Sequence, residues 1–170
     1  MAKRKVVRLT KVTQARLREV LRYNPRTGAF TRRITIGRYK AGDAAGTDMG
    51  HYLKIMIDGE RYASHRLAWL YVYGRWPKRD LDHINRNKKD NRIANLREAT
   101  PSQNVAWVPM RRDNTSGIRG VCFHKASQKW GAQIGGKWLG VFSTKRAAAA
   151  ACRAEHIKQF GDFSPLKRAA

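Results

Sequence analysis

The sequence predicts a two-domain α+β protein in which short antiparallel strands alternate with a few helices. Apolar and polar residues alternate in several short runs, whereas two longer segments repeat their apolar residues at helical spacing. A polar stretch rich in turn-forming residues then separates two groups of these elements. The 170 residues, of which 42% are hydrophobic, suffice for one ordinary core or two small ones.

The first group of elements begins with a helix predicted from Thr13 to Leu21, followed by a hairpin whose arms flank the Pro and Gly turn of "YNPRTGAF". From Tyr52, "YLKIMIDGERYASHRLAWL" alternates, turns at Asp58-Gly59 and passes into a second helix that ends at "YGRWP". The apolar residues assigned to the two helix faces are Leu17, Val20, Leu21, Leu67, Ala68, Leu70 and Tyr71.

The second group follows the stretch "VPMRRDNTSG", which has no apolar period and is the predicted linker. The runs "GIRGVCFH", "KWGAQI" and "KWLGVF" predict a three-stranded sheet. A helix over "STKRAAAAACRAEHIKQFG" should then be capped by Ser143 or Thr144 and stopped by Gly161. The predicted organisation is a domain over 1–107, a linker over 108–116 and a domain over 117–165.

The charge of the chain predicts a polyanionic partner. Its 36 Lys and Arg residues against 12 Asp and Glu give a net charge of +24. Because residues 1–60, 61–112 and 113–170 carry +9, +8 and +7, no single basic tail explains this charge. Double-stranded DNA is the expected partner, with strongly salt-dependent binding.

Membrane and disulfide classes are not favoured. No apolar run is long enough to span a bilayer, and "MAKRKVVRLT" lacks the apolar core of a signal peptide, so an intracellular, cytoplasmic protein without membrane contact is expected. Cys122 and Cys152 are far apart and lie in apolar surroundings, which predicts two reduced core residues rather than a disulfide or zinc framework.

The stretch "LDHINRNKKDNRIANLREATPSQN", residues 81–104, combines five asparagines with an Asp-His pair. Hydrolysis of a phosphodiester needs a base, a cation and ligands for that cation, and Asp82 and His83 offer a ligand beside a base. Neighbouring strand residues point to opposite faces, so the pair needs a distorted or terminal strand position. Taken alone, the pair also fits a surface or capping role, and the asparagines fit turns.

The order of "DHIN", "DNRIANLR" and "ATPSQN" resembles the HNH endonucleases, in particular the phage and intron-encoded homing group in which the last histidine is asparagine. The resemblance extends over residues 17–107 and implies a ββα-metal core that binds one divalent ion, Mg²⁺ or Mn²⁺. It implies Asp82 and Asn104 as metal ligands, His83 as general base, and Asn95 as the residue that holds the loop and orients His83. Asn91 could share the task of Asn95, and Asn85 and Asn87 are expected in turns.

Basic residues around this motif are expected to contact backbone phosphates and to add little sequence choice, the alternative being a solvated basic surface. His65, which opens the second helix, is interpreted as structural, with phosphate contact left open. The predicted phosphate contacts are Arg66, Arg86, Lys88, Lys89, Arg92 and Arg97.

The C-terminal "RGV", "KWGAQI" and "WLGVF" elements resemble the DNA-binding domain of plant ethylene-response (APETALA-type) factors over residues 116–163. That resemblance implies a sheet that lies in the major groove and a helix that covers its other face. Alternation sorts Lys129, Gly131 and Gln133 toward DNA and Trp130, Ala132 and Ile134 toward the helix. For Trp138, DNA contact and core packing are both open. The DNA-contacting residues predicted here are Arg119, Lys129, Gln133, Lys137 and Trp138.

Two departures from that family predict loose sequence specificity. Cys122 and Gly135 stand where the family places arginines, and a bidentate arginine–guanine pair contributes about 1–3 kcal/mol of discrimination. Selection of binders from random duplexes should therefore return a short, degenerate motif, and a long, sharply defined motif would contradict the expectation.

The sequence thus predicts a monomeric, metal-dependent DNA endonuclease that cuts one strand per binding event, by hydrolysis that leaves a 5′ phosphate. The alternative is a non-catalytic DNA-binding regulator with a decayed nuclease core, which would not need Asp82, His83 and Asn104 together. An RNA-binding protein fits the charge, but the chain lacks the paired exposed aromatics of an RNA-recognition sheet.

Overall fold

The computed structural model describes residues 11–106, 112–164 and 166, and it confirms the mixed α and β class. The described residues form small antiparallel sheets and four α-helices. Two compact units, Met1–Ala99 and Thr100–Ala170, divide the chain. The predicted linker over 108–116 lies in part outside the described residues, and the predicted boundaries remain a prediction.

The first unit opens with a short helix and a hairpin, as the sequence predicts. Helix α1 (Gln14–Val20) is capped by the side chain of Thr13, which accepts a hydrogen bond from the Arg16 amide. The unit then forms two three-stranded sheets, a two-stranded hairpin and a second helix. Their bounds are β1 Leu21–Tyr23, β2 Phe30–Arg32, β3 Ala44–Ala45, β4 Thr47–Asp48, β5 Leu53–Ile57, β6 Glu60–Ala63, α2 Ser64–Tyr73, β7 Asp80–His83 and β8 Leu96–Ala99.

Turn residues and one apolar core fix this unit. Asp58 and Gly59 have φ of 50° and 83° at the tight turn between β5 and β6, and Gly74 ends α2 with φ of 72°. The predicted helix faces are buried, since Leu17, Val20, Leu21, Leu67, Ala68 and Leu70 are at most 3% exposed and pack with residues of β1, β2, β5 and β8. This core holds the β7–β8 hairpin against α2.

The second unit contains the predicted three-stranded sheet in the order β11-β10-β9 and one long helix. Thr144 caps that helix by accepting a hydrogen bond from the Ala147 amide, and Gly161 ends it. Ala132, Ile134, Ala148 and Cys152 form much of its core. The bounds are α3 Pro101–Ala106, β9 Val121–His124, β10 Lys129–Ile134, β11 Lys137–Phe142 and α4 Lys145–Phe160.

One sequence-based assignment is corrected here. Cys152 is buried as predicted, but Cys122 is exposed on the uncovered face of the sheet, opposite Gly131. Of the two roles left open for Trp138, core packing is excluded, because this side chain is 51% exposed. The alternation that places Lys129 and Gln133 on the exposed side and Ala132 and Ile134 on the helix side is confirmed. Gly131, which was sorted with Lys129 and Gln133, is buried, because the side chains of His124 and Trp138 lie over it. No helix among the described residues is long and apolar enough to cross a membrane.

Candidate active site

The Asp-His pair lies at the end of a strand, where the two side chains meet different surroundings. Strand β7 pairs antiparallel with β8, so Asp82 lies opposite Arg97 and His83 opposite Leu96. His83 is the last residue of β7 and is 5% exposed, whereas Asp82 is only partly buried. This is the terminal strand position that the sequence argument required for a shared site.

The rings of Tyr52 and His65 lie against the ring of His83. The His83 ring centroid lies 5.3 Å from that of His65 on α2 and 6.2 Å from that of Tyr52, and Tyr52 lies 5.1 Å from His65. His83 Nε2 and His65 Nδ1 are buried, and neither finds a hydrogen-bond partner within the described part of the chain. Because a buried polar atom without a partner costs free energy, these nitrogens point to a site that takes a polar group.

Burial sets the protonation of both imidazoles. It lowers the pKa of His65 from its ordinary value of 6.5 to about 4, with the charges of His83 and Arg66 adding to the effect. Burial also lowers the pKa of His83, although the nearby Asn91 amide and the Asp82 carboxylate oppose this. Both rings are therefore neutral at pH 7, and a neutral imidazole is the form that can accept a proton.

Asn95 fastens the loop that joins β7 to β8. Its Oδ1 accepts a hydrogen bond of 2.9 Å from the Asn85 amide, and its Nδ2 donates one of 2.9 Å to the Asp90 carbonyl. These bonds close the loop that follows His83, and no described bond joins Asn95 to His83 itself. Asn91, which is 2% exposed, is instead the amide that affects His83.

Two further asparagines form the turn within this loop, as the sequence predicts. Asn85 Oδ1 accepts a hydrogen bond of 2.9 Å from the Asn87 amide, and Asn87 Oδ1 accepts one of 3.0 Å from the Lys89 amide. Arg86 between them has φ of 64°, in the left-handed region. Local side-chain-to-backbone bonds of this kind stabilise turns without any sheet pairing.

Replacing Asn95 with alanine is expected to destabilise the first unit by about 1–3 kcal/mol, because it leaves two polar backbone groups of the loop without their partner. Urea unfolding measures the loss. Asn87→Ala is the matched control, since the exposed Asn87 amide supports one local bond only. Equal losses in the two variants would contradict a fastening role for Asn95.

The Asp82 carboxylate forms an ion pair with Arg97 across the hairpin. Nε and Nη2 of Arg97 both lie 2.9 Å from Asp82 Oδ2. The described residues contain no group of three or more histidine, cysteine, aspartate or glutamate side chains that could hold a metal ion. A hard ion such as Mg²⁺ prefers oxygen ligands, keeps several waters and uses only one or two carboxylates, so the ligand type of the Asp82 carboxylate fits such an ion, provided that Arg97 shares or releases it.

Asn104 lies on α3, which follows β8 directly in the chain but belongs to the second unit. Its side chain is partly buried, and the helix begins after Thr100, whose hydroxyl accepts a hydrogen bond from the Gln103 amide. A ligand role of Asn104 beside Asp82 is therefore taken up below as a proposal.

The basic residues predicted to contact phosphate differ in the groups that they contact within the protein. Arg92 pairs with Asp90, Lys89 with Asp48, and Arg97 with Asp82. The others are held by aromatic contact or are exposed: Arg66 lies over Trp76, Lys88 lies 5.2 Å from the Tyr52 ring, and Arg86 is exposed.

In the second unit, the predicted DNA-contacting residues lie mostly at the surface of the sheet. Trp138 meets His124 edge-on at 5.9 Å, and Lys137 forms an ion pair of 2.9 Å with Glu155 of α4. Lys129 and Gln133 are exposed, and Arg119 is partly buried.

Sequence reasoning missed the ring cluster around His83, because it treated His65 as a structural residue. The helix-opening position of His65 carries no local sign that its side chain reaches β7. The alternation of apolar and polar residues that begins at Tyr52 likewise predicted a strand, and it did not mark Tyr52 as a site residue. His65 and Tyr52 become recognisable as neighbours of His83 only once the packing of α2 on β5 and β6 is known.

Acidification is expected to weaken the first unit through His65. Unfolded His65 takes up a proton near its ordinary pKa of 6.5, whereas the buried ring resists protonation down to about 4. The unfolded state therefore binds more protons in this window, and the free energy of unfolding falls as the pH drops through it, by roughly 3 kcal/mol over the whole window and by roughly 2 kcal/mol down to about pH 5.

Urea unfolding of the wild type and of His65→Phe, at about pH 7.5 and about pH 5, measures this effect. Phenylalanine keeps the aromatic packing and removes the proton site, so the variant should lose less stability on acidification. His83 remains in both proteins and shifts both in the same direction. An identical loss in the two proteins would contradict the prediction.

Comparison with known proteins bears on this segment. Residues 62–106, from β6 to α3, match the family described as HNH endonuclease. Protein 3.8 of Escherichia phage T7 is 33% identical over 67 residues, which are 39% of this chain and 55% of that protein. The chain thus spans about half the length of this curated relative. No solved structure gives a significant match.

Proposed function

We propose that the protein is a metal-dependent endonuclease that hydrolyses phosphodiester bonds in double-stranded DNA. The observation that carries this proposal is the buried, neutral His83 ring, whose Nε2 has no described partner, next to the Asp82 carboxylate. A structural histidine in a core normally has both nitrogens bonded or one exposed, whereas a base must keep one nitrogen available. The HNH endonuclease match at residues 62–106 supports the same chemistry.

In this proposal His83 takes the proton of the attacking water, and Asn95 keeps the following loop closed. Asp82 and Asn104 would hold the divalent ion, Mg²⁺ or Mn²⁺, as the ligands of the ββα-metal core that the HNH resemblance implies. When bound, this ion stabilises the negative charge of the phosphate and of the leaving 3′ oxygen. The partly buried His65 and Tyr52 rings pack beside His83, and the burial of His83 lowers its pKa and so favours the neutral form.

The surrounding basic residues position the duplex through its phosphates, and the exposed sheet of the second unit contacts DNA through Lys129, Gln133 and Trp138. The protein acts as a monomer and nicks one strand per binding event, in a homing-like role within the cytoplasm. The net charge of +24 supports a polyanionic partner such as DNA.

One observation favours a non-catalytic DNA-binding regulator instead. Arg97 already neutralises Asp82 through two contacts of 2.9 Å, as a structural ion pair would. In the nuclease, Arg97 must share this carboxylate with the metal or move to a DNA phosphate. Arg97→Lys, which cannot form the same fork, should then raise cleavage at limiting metal, whereas in a regulator it would only reduce stability.

Supercoiled plasmid incubated with the purified protein tests the proposal. Conversion to open circle with Mg²⁺ or Mn²⁺, and no conversion with a chelator, is the expected result at low salt. Tight duplex binding without cleavage in either metal would overturn the nuclease and leave the regulator.

A further inference from the structure

A cationic cavity of about 190 Å³ lies in the first unit, lined by residues of the strands β2 to β6 and of the loops that follow β2, β3 and β4. Its lining contains no aspartate or glutamate among the described residues. Four cationic side chains line it, and none of them forms an ion pair with a carboxylate in the described part of the chain. They are Arg32, Arg38, Lys54 and Arg61.

Arg32 is the buried member of this group. The residue is 6% exposed, and its Nη1 donates a hydrogen bond of 3.2 Å to the Met56 carbonyl. Its Nε has no hydrogen-bond partner among the described residues. Burial of a guanidinium with an unused donor is costly, and a ligand that accepts from this donor and neutralises the charge offsets that cost.

Tyr39 organises the arginines at the cavity. The Arg32 guanidinium carbon lies 4.7 Å from the centre of the Tyr39 ring, and Arg38 Nη2 donates a hydrogen bond of 3.1 Å to the Tyr39 hydroxyl. The stacked ring limits the rotamers of both side chains, so that less entropy is lost when they bind an anion. Arg61 lies opposite Met56 in the β5–β6 pairing and brings a further cation to the same cavity.

We propose that this cavity binds a phosphate group. Planar guanidinium groups bond two phosphate oxygens at once, and three arginines with one lysine provide donors on several sides of a small anion. None of the cavity residues belongs to the His83 cluster, so the site is separate from the hydrolytic centre. If the proposed function holds, the ligand is a backbone phosphate of the bound duplex, and a free phosphate or nucleotide is the other source of the same chemistry.

Duplex binding in the presence of a chelator tests the proposal independently of cleavage. Arg38→Gln and Arg61→Gln change exposed side chains, so the fold should tolerate both substitutions. Arg32→Met changes the buried arginine. Arg146→Gln, an exposed arginine of α4, removes the same charge elsewhere. Each cavity variant should weaken duplex affinity about 3- to 10-fold more than the control does and reduce the salt slope by about 1.

Pyrophosphate binding, followed by ³¹P NMR, distinguishes the two sources. Loss of duplex affinity in the cavity variants identifies the backbone phosphate, and loss of pyrophosphate binding with unchanged duplex affinity identifies a free phosphate ligand. Unchanged binding of both probes in folded Arg38→Gln and Arg61→Gln would overturn the proposal. Both binding assays are run without metal, so they do not depend on cleavage. The phosphate site can therefore be confirmed even if the protein is not a nuclease, and it can be overturned even if the protein is one.

Discussion

Replacing His83 with alanine is expected to reduce the rate of plasmid nicking by about 100- to 10,000-fold, the usual contribution of a general base. Duplex affinity should change little, because the ring is only 5% exposed and therefore offers little surface to a duplex. The rate falls because alanine removes the imidazole, and among Tyr52, His65 and His83 it is His83 that follows Asp82 directly in the sequence. Initial rates with saturating Mg²⁺ give the effect directly.

The control is His51→Ala, which removes an exposed histidine from the same unit. Its nicking rate and its duplex affinity should both stay close to those of the wild type. Affinity is measured in a chelator, so that binding and cleavage are separated. If the nicking rate of His83→Ala lay within about threefold of the control rate, the decrease would be too small for the loss of a general base. Another residue would then have to be the base.

Much of the fold follows from local signals in the sequence. Thr13 and Thr144 cap their helices through the hydroxyl-to-amide bonds that their residue type favours, and Gly74 and Gly161 end helices. The turn at Asp58 is fixed by a single dipeptide. In each case the determining contacts lie within four residues, so that the sequence alone is informative.

Elements without such signals were not predicted. Strands β3 and β4 contain two residues each, "AA" and "TD", and are too short for any alternation to show. Cys122 lies in an apolar run between Val121, which is buried, and Phe123, which is exposed, and only the position of α4 decides which face of the sheet is covered. Its exposure therefore depends on tertiary packing that a run of four residues cannot encode.

The candidate site divides in the same way. Asp82 and His83 were recognisable because their order relative to the asparagines in the sequence resembles that of the HNH endonucleases. The approach of His65 to His83 spans 18 positions of sequence and depends on how α2 packs beside β7. The Arg97–Asp82 ion pair depends on the cross-strand register of the hairpin. Long-range contacts of this kind carry no local pattern from which they could be predicted.

Replacing Gly28 with alanine is expected to destabilise the first unit by about 3–5 kcal/mol, at the upper end for a point substitution. Gly28 has φ of 74°, and an added Cβ would lie 2.5 Å from the Arg92 amide nitrogen and 2.6 Å from the Asn91 carbonyl carbon. These are backbone atoms, so neither can move aside as a flexible side chain would. Urea unfolding measures the loss.

The same substitution should also reduce nicking in the protein that remains folded. The β1–β2 hairpin holds the loop at Asn91 from a second side, because the buried Tyr23 hydroxyl donates a hydrogen bond of 2.7 Å to the Asn91 carbonyl. Burial raises the pKa of Tyr23 to about 12, so this donor keeps its proton. Displacing Asn91 alters the surroundings of His83, and the hairpin thus links the N-terminal fold to the candidate base.

Gly59→Ala separates the two causes that act at Gly28. Gly59 has φ of 83°, but an added Cβ there meets no atom within 4 Å, so its loss of about 1 kcal/mol measures backbone strain alone. The excess loss in Gly28→Ala then measures the close approach of the hairpin to the loop. Equal losses in the two variants would leave strain as the sole cause, and the nicking rate of Gly28→Ala would then match that of the Gly59 variant.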